Sequence, residues 1–306
     1  MGEGSDDPGA ARWLPAETFQ GEVVLVTGGG TGLGLEISRG FAALGATVVI
    51  ASRSTDHHAA FLEEAQACGW NAQGLQLDVR TAPDVRRVIE GVVERHGRLH
   101  HLVNNAAGNF VCPTERLSTN AWRSVLGIVL DGTFHCSKYA GRHMLQEGGG
   151  TMLNVVATYA WTGMPGVAHS ASAKAGVLAL TRTLAAEWAG RGVRVNAVAP
   201  GPFHSQGAQR NLWPDARAEE AIRSRIPLGR FATREEVAAQ CLYLCSPAAA
   251  YITGECLVVD GGLSLGAGRL FEPGARVRRG PRARETGPES GPESGPEPGP
   301  ELGSTP

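Results

Sequence analysis

The sequence has no long hydrophobic run, no paired cysteine motif and little net charge. No apolar stretch in its 306 residues reaches the roughly 18–20 residues of a membrane-spanning helix, so no membrane span is predicted. The formal net charge of -2 and the pI of 6.5 provide no strong field for binding nucleic acid. The six cysteines lack Cys-x-x-Cys spacing and the paired histidines lack nearby carboxylates. These absences argue against a metal site and a disulfide framework, and favour reduced thiols.

No targeting signal is recognisable at either end of the chain. Residues 1–20 contain four acidic side chains and no apolar core, unlike a secretory signal or an organelle transit peptide. The last four residues, 303–306, do not form a peroxisomal address. The sequence therefore predicts a cytoplasmic location.

Composition divides the chain into three zones. Residues 1–20 are predicted to form a polar leader and residues 21–267 a folded domain. Residues 268–306 carry arginines followed by Gly-Pro-Glu-Ser repeats. A proline-rich segment with few apolar residues cannot offset the entropy of ordering, so this tail is predicted to be disordered.

The middle zone alternates short apolar runs with amphipathic stretches. The predicted strands are 23–27, 47–52, 74–78, 101–104, 152–157, 194–197 and 256–259, and helical periodicity covers residues 85–92 and 175–188. Apolar strands that alternate with helices indicate a parallel sheet covered on both faces. We therefore predict an α/β fold with a single, doubly wound, Rossmann-like sheet of about seven strands and a ligand crevice at the strand carboxyl ends.

A glycine-rich loop follows the first predicted strand and opens a helix. Glycines at such a turn let the backbone approach a pyrophosphate, whose charge lies at the helix N-terminus. The loop therefore predicts a dinucleotide site. Its members are Thr27, Gly28, Gly30, Thr31, Gly32, Leu33 and Gly34.

The residues after the second strand favour NADPH as the cofactor. An NAD site usually has an acidic side chain here, whereas this chain has Ser52 and Arg53. A guanidinium pairs with a 2′-phosphate and stacks on adenine, and an ordinary exposed loop arginine is the alternative interpretation of Arg53. Asp78 is placed to accept a hydrogen bond from the adenine amino group, and Asn105 lies where the fourth strand meets the cofactor.

These motifs resemble those of the short-chain dehydrogenase/reductase superfamily. The resemblance rests on the glycine-rich loop, residues 104–108 (Asn-Asn-Ala-Ala-Gly), Lys174, residues 200–202 (Pro-Gly-Pro) and residues 260–262 (Asp-Gly-Gly), and it covers roughly residues 20–263. It also implies cofactor contacts at Val79, Lys174, Pro200, Gly201 and Phe203. Two features of the superfamily are missing, because Ser170 replaces the usual tyrosine and Val129 replaces a helix asparagine.

A narrower resemblance accounts for both departures. Residues 105–110, 113–118, Tyr159 and 170–174 are similar to those of 2,4-dienoyl-CoA reductases, more to the mitochondrial type and its bacterial relatives than to the peroxisomal type. That family lacks the usual tyrosine and uses one further upstream. The resemblance implies catalytic roles for Tyr159, Asn109, Ser170 and Lys174. It implies substrate contacts at Arg53, Arg80, Phe110, Ser118 and Arg210.

The chemistry of a dienoyl thioester explains why the tyrosine is displaced. A carbonyl reductase protonates the oxygen whose carbon takes the hydride, whereas a dienoyl thioester takes the hydride at its δ-carbon and gathers charge on a distant oxygen. The donor must therefore be displaced from the hydride position. Tyr159 and Asn109 are the candidate donors, and protonation at the α-carbon then yields a 3-enoyl-CoA. Tyr159 is otherwise a packed core aromatic, Asn109 a turn-capping amide and Arg80 a surface ion-pair partner.

Three functions remain open at this stage. The first is NADPH-dependent reduction of a 2,4-dienoyl-CoA, an auxiliary step of β-oxidation. The second is reduction of a carbonyl or 3-ketoacyl substrate, and the third is binding of NADPH by a catalytically inactive protein. The resemblance also implies a homotetramer, for which the helix at residues 175–188 and the strand at 255–259 are candidate contacts.

Overall fold

Seven strands form one parallel sheet in the part of the chain that the structure, a computed structural model, describes: residues 11, 14–204 and 215–265. The spatial order is β3-β2-β1-β4-β5-β6-β7, and every neighbouring pair is parallel. The predicted doubly wound α/β sheet is thereby confirmed. The strands are β1 (Val23–Thr27), β2 (Thr47–Ser52), β3 (Ala72–Gln76), β4 (His101–Asn104), β5 (Gly150–Val155), β6 (Val193–Pro200) and β7 (Cys256–Val259).

Helices cover both faces of the sheet. α1 and α9 pack on one face around Phe41 and Leu242, whereas α3, α5 and α7 pack on the other around Ile89 and Met152. This two-sided cover explains why β1 and β4 are buried along their whole length. The helices are α1 (Gly32–Ala43), α2 (Ala59–Cys68), α3 (Ala82–His96), α4 (Thr119–Leu126), α5 (Gly132–Gln146), α6 (Tyr159–Thr162), α7 (Ala168–Trp188), α8 (Ala216–Arg223) and α9 (Arg234–Cys245); a π turn (Gly127–Asp131) joins α4 to α5.

The strand order places a crevice between β1 and β4. After β3 the chain crosses back over the sheet, so that β4 pairs with β1 and the loops after these two strands leave in opposite directions. Ligands of open α/β sheets bind at such a switch point, outside the carboxyl ends of the strands. The glycine-rich loop follows β1 and residues 105–110 follow β4, so both lie at this crevice.

The bounds of β3 differ from the prediction because β3 is an edge strand that pairs only with β2. The sequence predicts a strand at 74–78, whereas β3 spans Ala72–Gln76 and pairs only with β2, with Gln76 opposite Ser52. The register of β2 therefore determines where β3 ends. Asp78, predicted as the strand's last residue, lies in the loop beyond it.

The segment before residue 21 contributes to the core through Phe19. Phe19 is fully buried and its ring lies 4.6 Å from that of Phe41, although the segment is polar overall. The predicted tail at 268–306 lies outside the described residues. None of the described helices has both the length and the apolar character required to cross a membrane.

Candidate active site

A cavity of about 480 Å³ opens at the switch point. Its walls come from the loops after β1, β2 and β4 and from the loop after β3, which carries Asp78. Of the predicted cofactor residues, Gly28, Gly30, Thr31, Ser52, Arg53, Asp78, Val79 and Asn105 line this cavity. The structure therefore brings half of the predicted dinucleotide contacts into one space.

Backbone crowding explains two of the loop glycines. A Cβ at Gly30 would lie 2.1 Å from the His57 carbonyl oxygen, and one at Gly34 would lie 2.3 Å from the Gly28 carbonyl oxygen. Real Cβ atoms do not approach backbone this closely, so any side chain would push the loop open. The turn is thus compact enough for a pyrophosphate to reach the backbone at the start of α1. Leu33 points away from the cavity and is buried in the core.

Thr27 and Asn105 join the ends of β1 and β4. The Thr27 hydroxyl accepts hydrogen bonds from the backbone N–H groups of Asn105 and Ala106, both at 3.0 Å. The Asn105 amide donates in return to the Thr27 carbonyl at 3.0 Å and the Gly28 carbonyl at 3.2 Å. These bonds hold the two loops together at the floor of the crevice. Asn105 is therefore a support for the glycine-rich loop as well as a cavity wall.

The loop after β2 carries the groups suited to an adenosine 2′-phosphate. Arg53 is exposed at the cavity wall, beside Ser52 and Ser54. The Ser52 hydroxyl shares a hydrogen bond of 2.7 Å with the buried His58 ring, which fixes its position. Sequence reasoning missed Ser54 and His57, which also line the cavity. Their position directly after β2 was the sequence signal that could have identified both residues as part of the cavity wall.

Asp78 and Arg80 bind each other. The Arg80 Nε donates to both carboxylate oxygens of Asp78, at 2.9 and 3.0 Å, and its Nη2 lies 2.5 Å from Oδ2. The hydrogen bond from this guanidinium is the main cause that lowers the pKa of Asp78. The sequence predicts one residue for adenine and the other for substrate, so the structure unites two groups that were assigned to different ligands.

Tyr159, Asn109 and Ser170 form one polar cluster. The Asn109 amide donates to the Tyr159 hydroxyl at 3.3 Å, and the hydroxyls of Tyr159 and Ser170 lie 3.1 Å apart. Burial raises the pKa of Tyr159, although its two hydrogen bonds act in the opposite direction. The phenol therefore stays protonated near neutral pH and can donate a hydrogen bond. The Asn109 Oδ1 also accepts a hydrogen bond from the backbone N–H of Phe110 at 2.9 Å, so this amide contacts both its own loop and Tyr159.

Lys174 lies buried on the same helix as Ser170. Both belong to α7, one turn apart, and the Lys174 ammonium donates to the backbone carbonyl of Val155 at the end of β5. Burial lowers the pKa of Lys174 to about 8. The lysine is thus held between α7 and the end of β5, one helical turn from Ser170.

The position at which Val129 replaces the superfamily's helix asparagine lies in a π turn. Val129 lies within Gly127–Asp131 and is buried against Val125 and Val177. π turns often mark functional sites, and this one contributes Ile128 to the cavity wall. The side chain of Val129 therefore offers no hydrogen-bond donor or acceptor where the superfamily has an asparagine.

The remaining predicted contacts are spread around the site. Phe110 packs on the buried His169 ring at 4.3 Å between centroids, whereas Ser118 caps α4 by accepting a hydrogen bond from Ala121 N at 3.2 Å. Gly201 packs tightly against Asp260 beyond the end of β6. Pro200 ends that strand, and Phe203 bridges to Ala232. Arg210 lies outside the described residues.

Comparisons with known proteins identify the family of this chain. A family model described as Enoyl-(Acyl carrier protein) reductase matches residues 28–264. A probable 2,4-dienoyl-CoA reductase ((2E)-enoyl-CoA-producing) of Bacillus subtilis (strain 168) is 44% identical over 79% of this chain and 96% of its own length. The chain belongs to the 2,4-dienoyl-CoA reductase family. It is thus an oxidoreductase of the short-chain dehydrogenase/reductase superfamily, as the resemblance implied.

One further relative belongs to the same family, and one solved structure shares the fold. A peroxisomal 2,4-dienoyl-CoA reductase ((3E)-enoyl-CoA-producing) of Pongo abelii is 38% identical over 86% of this chain and 91% of its own length. A crystal structure of a gluconate 5-dehydrogenase from Burkholderia cenocepacia, in complex with NADP and tartrate, is 30% identical with a TM-score of 0.78, covering 84% of this chain and 98% of its own. The identity to the bacterial family member thus exceeds that to the peroxisomal one.

Proposed function

We propose that this protein is an NADPH-dependent 2,4-dienoyl-CoA reductase that forms a 3-enoyl-CoA. The observation that carries this proposal is the Tyr159–Asn109–Ser170 cluster beside the buried Lys174. It supplies a protonated donor that has moved away from the usual tyrosine position. The names of the family members support the choice of substrate class.

The lining of the cavity supports a nicotinamide dinucleotide phosphate as the cofactor. The tight turn at Gly30 and Gly34 can receive the pyrophosphate, and Arg53 with Ser52 and Ser54 can receive the 2′-phosphate. Lys174 would hold the nicotinamide ribose hydroxyls, and its charge raises the local potential. When bound, the cofactor supplies the hydride. The NADP complex of the related gluconate 5-dehydrogenase supports this assignment.

Tyr159 and Asn109 would bind the thioester oxygen. Hydride addition at the δ-carbon displaces the π electrons towards the thioester, so that negative charge is shared by the γ-carbon, the α-carbon and the oxygen of an extended dienolate. Two preorganised donors in a largely buried site stabilise this charge far better than water does. Ser170 keeps the Tyr159 hydroxyl in place, which makes Ser170 a positioning residue in the proposed mechanism.

The position of the donors also bears on the product. Protonation of a dienolate at its α-carbon gives a 3-enoyl-CoA, and protonation at its γ-carbon gives a 2-enoyl-CoA. Donors held at the oxygen leave the adjacent α-carbon to take its proton from water within the site. The names of the relatives include both product types, so product analysis is part of the test.

The substrate's CoA moiety requires cations. We propose that Arg80 contacts the CoA phosphates and that Arg53 and Arg210 are further contacts. We also propose substrate contacts at Phe110 and Ser118, which follow the thioester donor Asn109 in sequence. Arg80 would have to share its guanidinium between Asp78 and a CoA phosphate. We further propose one catalytic domain at residues 21–267 and a homotetramer, whose mass in sedimentation would be four times 32.0 kDa.

The decisive experiment follows the absorbance of NADPH with purified protein. A trans-2,trans-4-dienoyl-CoA and a matched 3-ketoacyl-CoA are compared, and products are identified by NMR after quenching. Oxidation with the dienoyl thioester alone, yielding 3-enoyl-CoA, supports the proposal. Turnover of the ketoacyl substrate alone establishes a carbonyl reductase instead. NADPH binding without turnover of either substrate indicates an inactive binding protein.

A further inference from the structure

Three large apolar side chains lie exposed on the two segments that carry the catalytic donors. Val111 is 56% exposed, Trp161 45% and Met164 46%. Val111 follows Asn109 by two residues, and Trp161 follows Tyr159 by two. Exposed apolar clusters at the edge of a site mark a binding surface more often than isolated exposed residues do. We refer to these three side chains as the apolar rim.

Backbone and side-chain contacts join the two segments at Val111 and near Met164. The backbone N–H of Cys112 donates to the Gly166 carbonyl at 2.8 Å. A Cβ at Gly166 would lie 2.8 Å from the Val111 side chain, which shows that Val111 packs directly on that glycine. Behind the rim, Phe110 rests on the buried His169 ring. Val111 and Met164 therefore come from loops that cannot separate without breaking these contacts.

The same segments contain no charged side chain. Residues 105–114 and 152–173 include no Lys, Arg, Asp or Glu. A CoA moiety carries phosphates and needs cations, and cations such as Arg53, Arg80, Arg116 and Arg123 lie outside these two segments. The part of an acyl-CoA that suits the rim is consequently its hydrocarbon end.

We propose that the apolar rim binds the acyl chain beyond the δ-carbon and thereby selects substrates with a long hydrocarbon tail. This inference rests on the proposed function, because it assumes that Tyr159 and Asn109 hold the thioester oxygen. The tail then leaves the donors along Val111, Trp161 and Met164. Each methylene that moves from water onto this surface improves kcat/KM by up to about fourfold. Trp161 has the largest apolar surface of the three and contributes most.

A chain-length series tests the proposal. The substrates are hexa-, octa-, deca- and dodecadienoyl-CoA, and kcat/KM is measured with NADPH for wild type, Trp161→Ser, Met164→Ser and the control Tyr251→Ser. Tyr251 is a fully exposed aromatic that belongs to neither donor-bearing segment. We expect a steep rise with length in wild type and the control, and a rise at least tenfold smaller across the series in Trp161→Ser. Rates with the shortest substrate should agree within about threefold, which shows that the donors are intact.

Binding of saturated acyl-CoA, measured by calorimetry with NADPH present, separates this inference from the proposed function. One outcome is that wild type reduces no dienoyl thioester, that its affinity for saturated acyl-CoA still rises with chain length, and that Trp161→Ser abolishes this rise. That outcome contradicts the proposed reaction but supports the binding of the acyl tail at the apolar rim. Parallel slopes in wild type and Trp161→Ser overturn the tail site. A lower sedimentation mass of Trp161→Ser also overturns it, since the rim would then contact a second copy of the chain.

Discussion

The Asn109 amide donates its hydrogen bond to the Tyr159 hydroxyl, at 3.3 Å, across fifty residues of sequence. Because the phenol oxygen accepts this bond, its own proton remains available for Ser170 or for a substrate oxygen. The raised pKa of Tyr159 keeps that proton in place near neutral pH. The relationship predicts that both residues act together on a single oxygen.

Tyr159→Phe is expected to lower kcat by roughly 10²–10³-fold, the usual effect of losing one preorganised donor to an oxyanion. The ring is retained, so the free energy of unfolding should barely change. Asn109→Ala should have a similar effect, and the double variant should lose less than the product of the two. Turnover is measured by NADPH absorbance with Tyr251→Phe as the control. A loss below about threefold in Tyr159→Phe would contradict the role.

Lys174→Met is expected to stabilise the protein near neutral pH and to weaken NADPH binding. Burial lowers the pKa of Lys174 from 10.5 to about 8, so the folded chain holds a poorly solvated charge below pH 8. Removing it should raise the free energy of unfolding by about 1–3 kcal/mol, reduced by the lost bond to the Val155 carbonyl.

The pH dependence of this gain has a definite sign. Between about pH 8 and 10.5 the folded chain binds fewer protons at Lys174 than the unfolded chain, so wild-type stability rises with pH. The advantage of Lys174→Met should therefore shrink across this window. Urea unfolding at pH 7 and pH 10 measures it, with the exposed Lys138→Met as the control. An advantage that is constant with pH would refute the assignment.

Arg53→Ser is expected to weaken NADPH binding by roughly 10–100-fold and to leave NADH binding unchanged. The reason is that a charge-assisted hydrogen bond to the 2′-phosphate contributes about 1.5–3 kcal/mol, and NADH has no such phosphate. Cofactor fluorescence titrations measure both affinities. Arg142→Ser, which removes an exposed arginine from α5, is the control. An equal loss of affinity for NADPH and NADH would mean that Arg53 stacks on adenine without binding the 2′-phosphate.

Gly34→Ala and Gly91→Ala are expected to have opposite effects on stability, although both glycines lie in helices. A Cβ at Gly34 would meet the Gly28 carbonyl and the Asn105 amide, whereas one at Gly91 meets nothing within 4 Å. We expect Gly34→Ala to lose about 1–3 kcal/mol and most NADPH affinity. Gly91→Ala should gain about 0.5–1 kcal/mol from helix propensity. Thermal unfolding of both variants decides the matter, and destabilisation by Gly91→Ala would argue against the packing described for α3.

Much of the fold was predictable because local patterns of apolar and turn residues determine its strands. The bounds of β1, β2, β4 and β7 agree with the sequence prediction, since each is a short apolar run bounded by turn residues. The glycine-rich loop was predictable for the same reason, as its turn chemistry lies within eight residues. β3 was displaced by two residues because its ends depend on pairing with β2.

The site itself was only partly predictable. Tyr159 and Ser170 lie eleven residues apart in sequence, and only the path through α6 into α7 brings their hydroxyls to 3.1 Å. The sequence offered a surface ion pair as the alternative for Arg80 but did not identify Asp78 as its partner. The packing of His169 on Phe110 had no sequence signal, because it depends on side-chain direction.

The sequence by itself therefore determined the sheet, the cofactor loop and the list of reactive residue types. These follow from hydrophobic periodicity and turn chemistry, which act over a few residues. Only the tertiary structure decided which reactive groups meet. Sheet order brings the loops after β4 and β5 together, and burial between them then sets the pKa values of Tyr159 and Lys174. Desolvation and hydrogen bonding depend on neighbours distant in the chain, so no local pattern contains them.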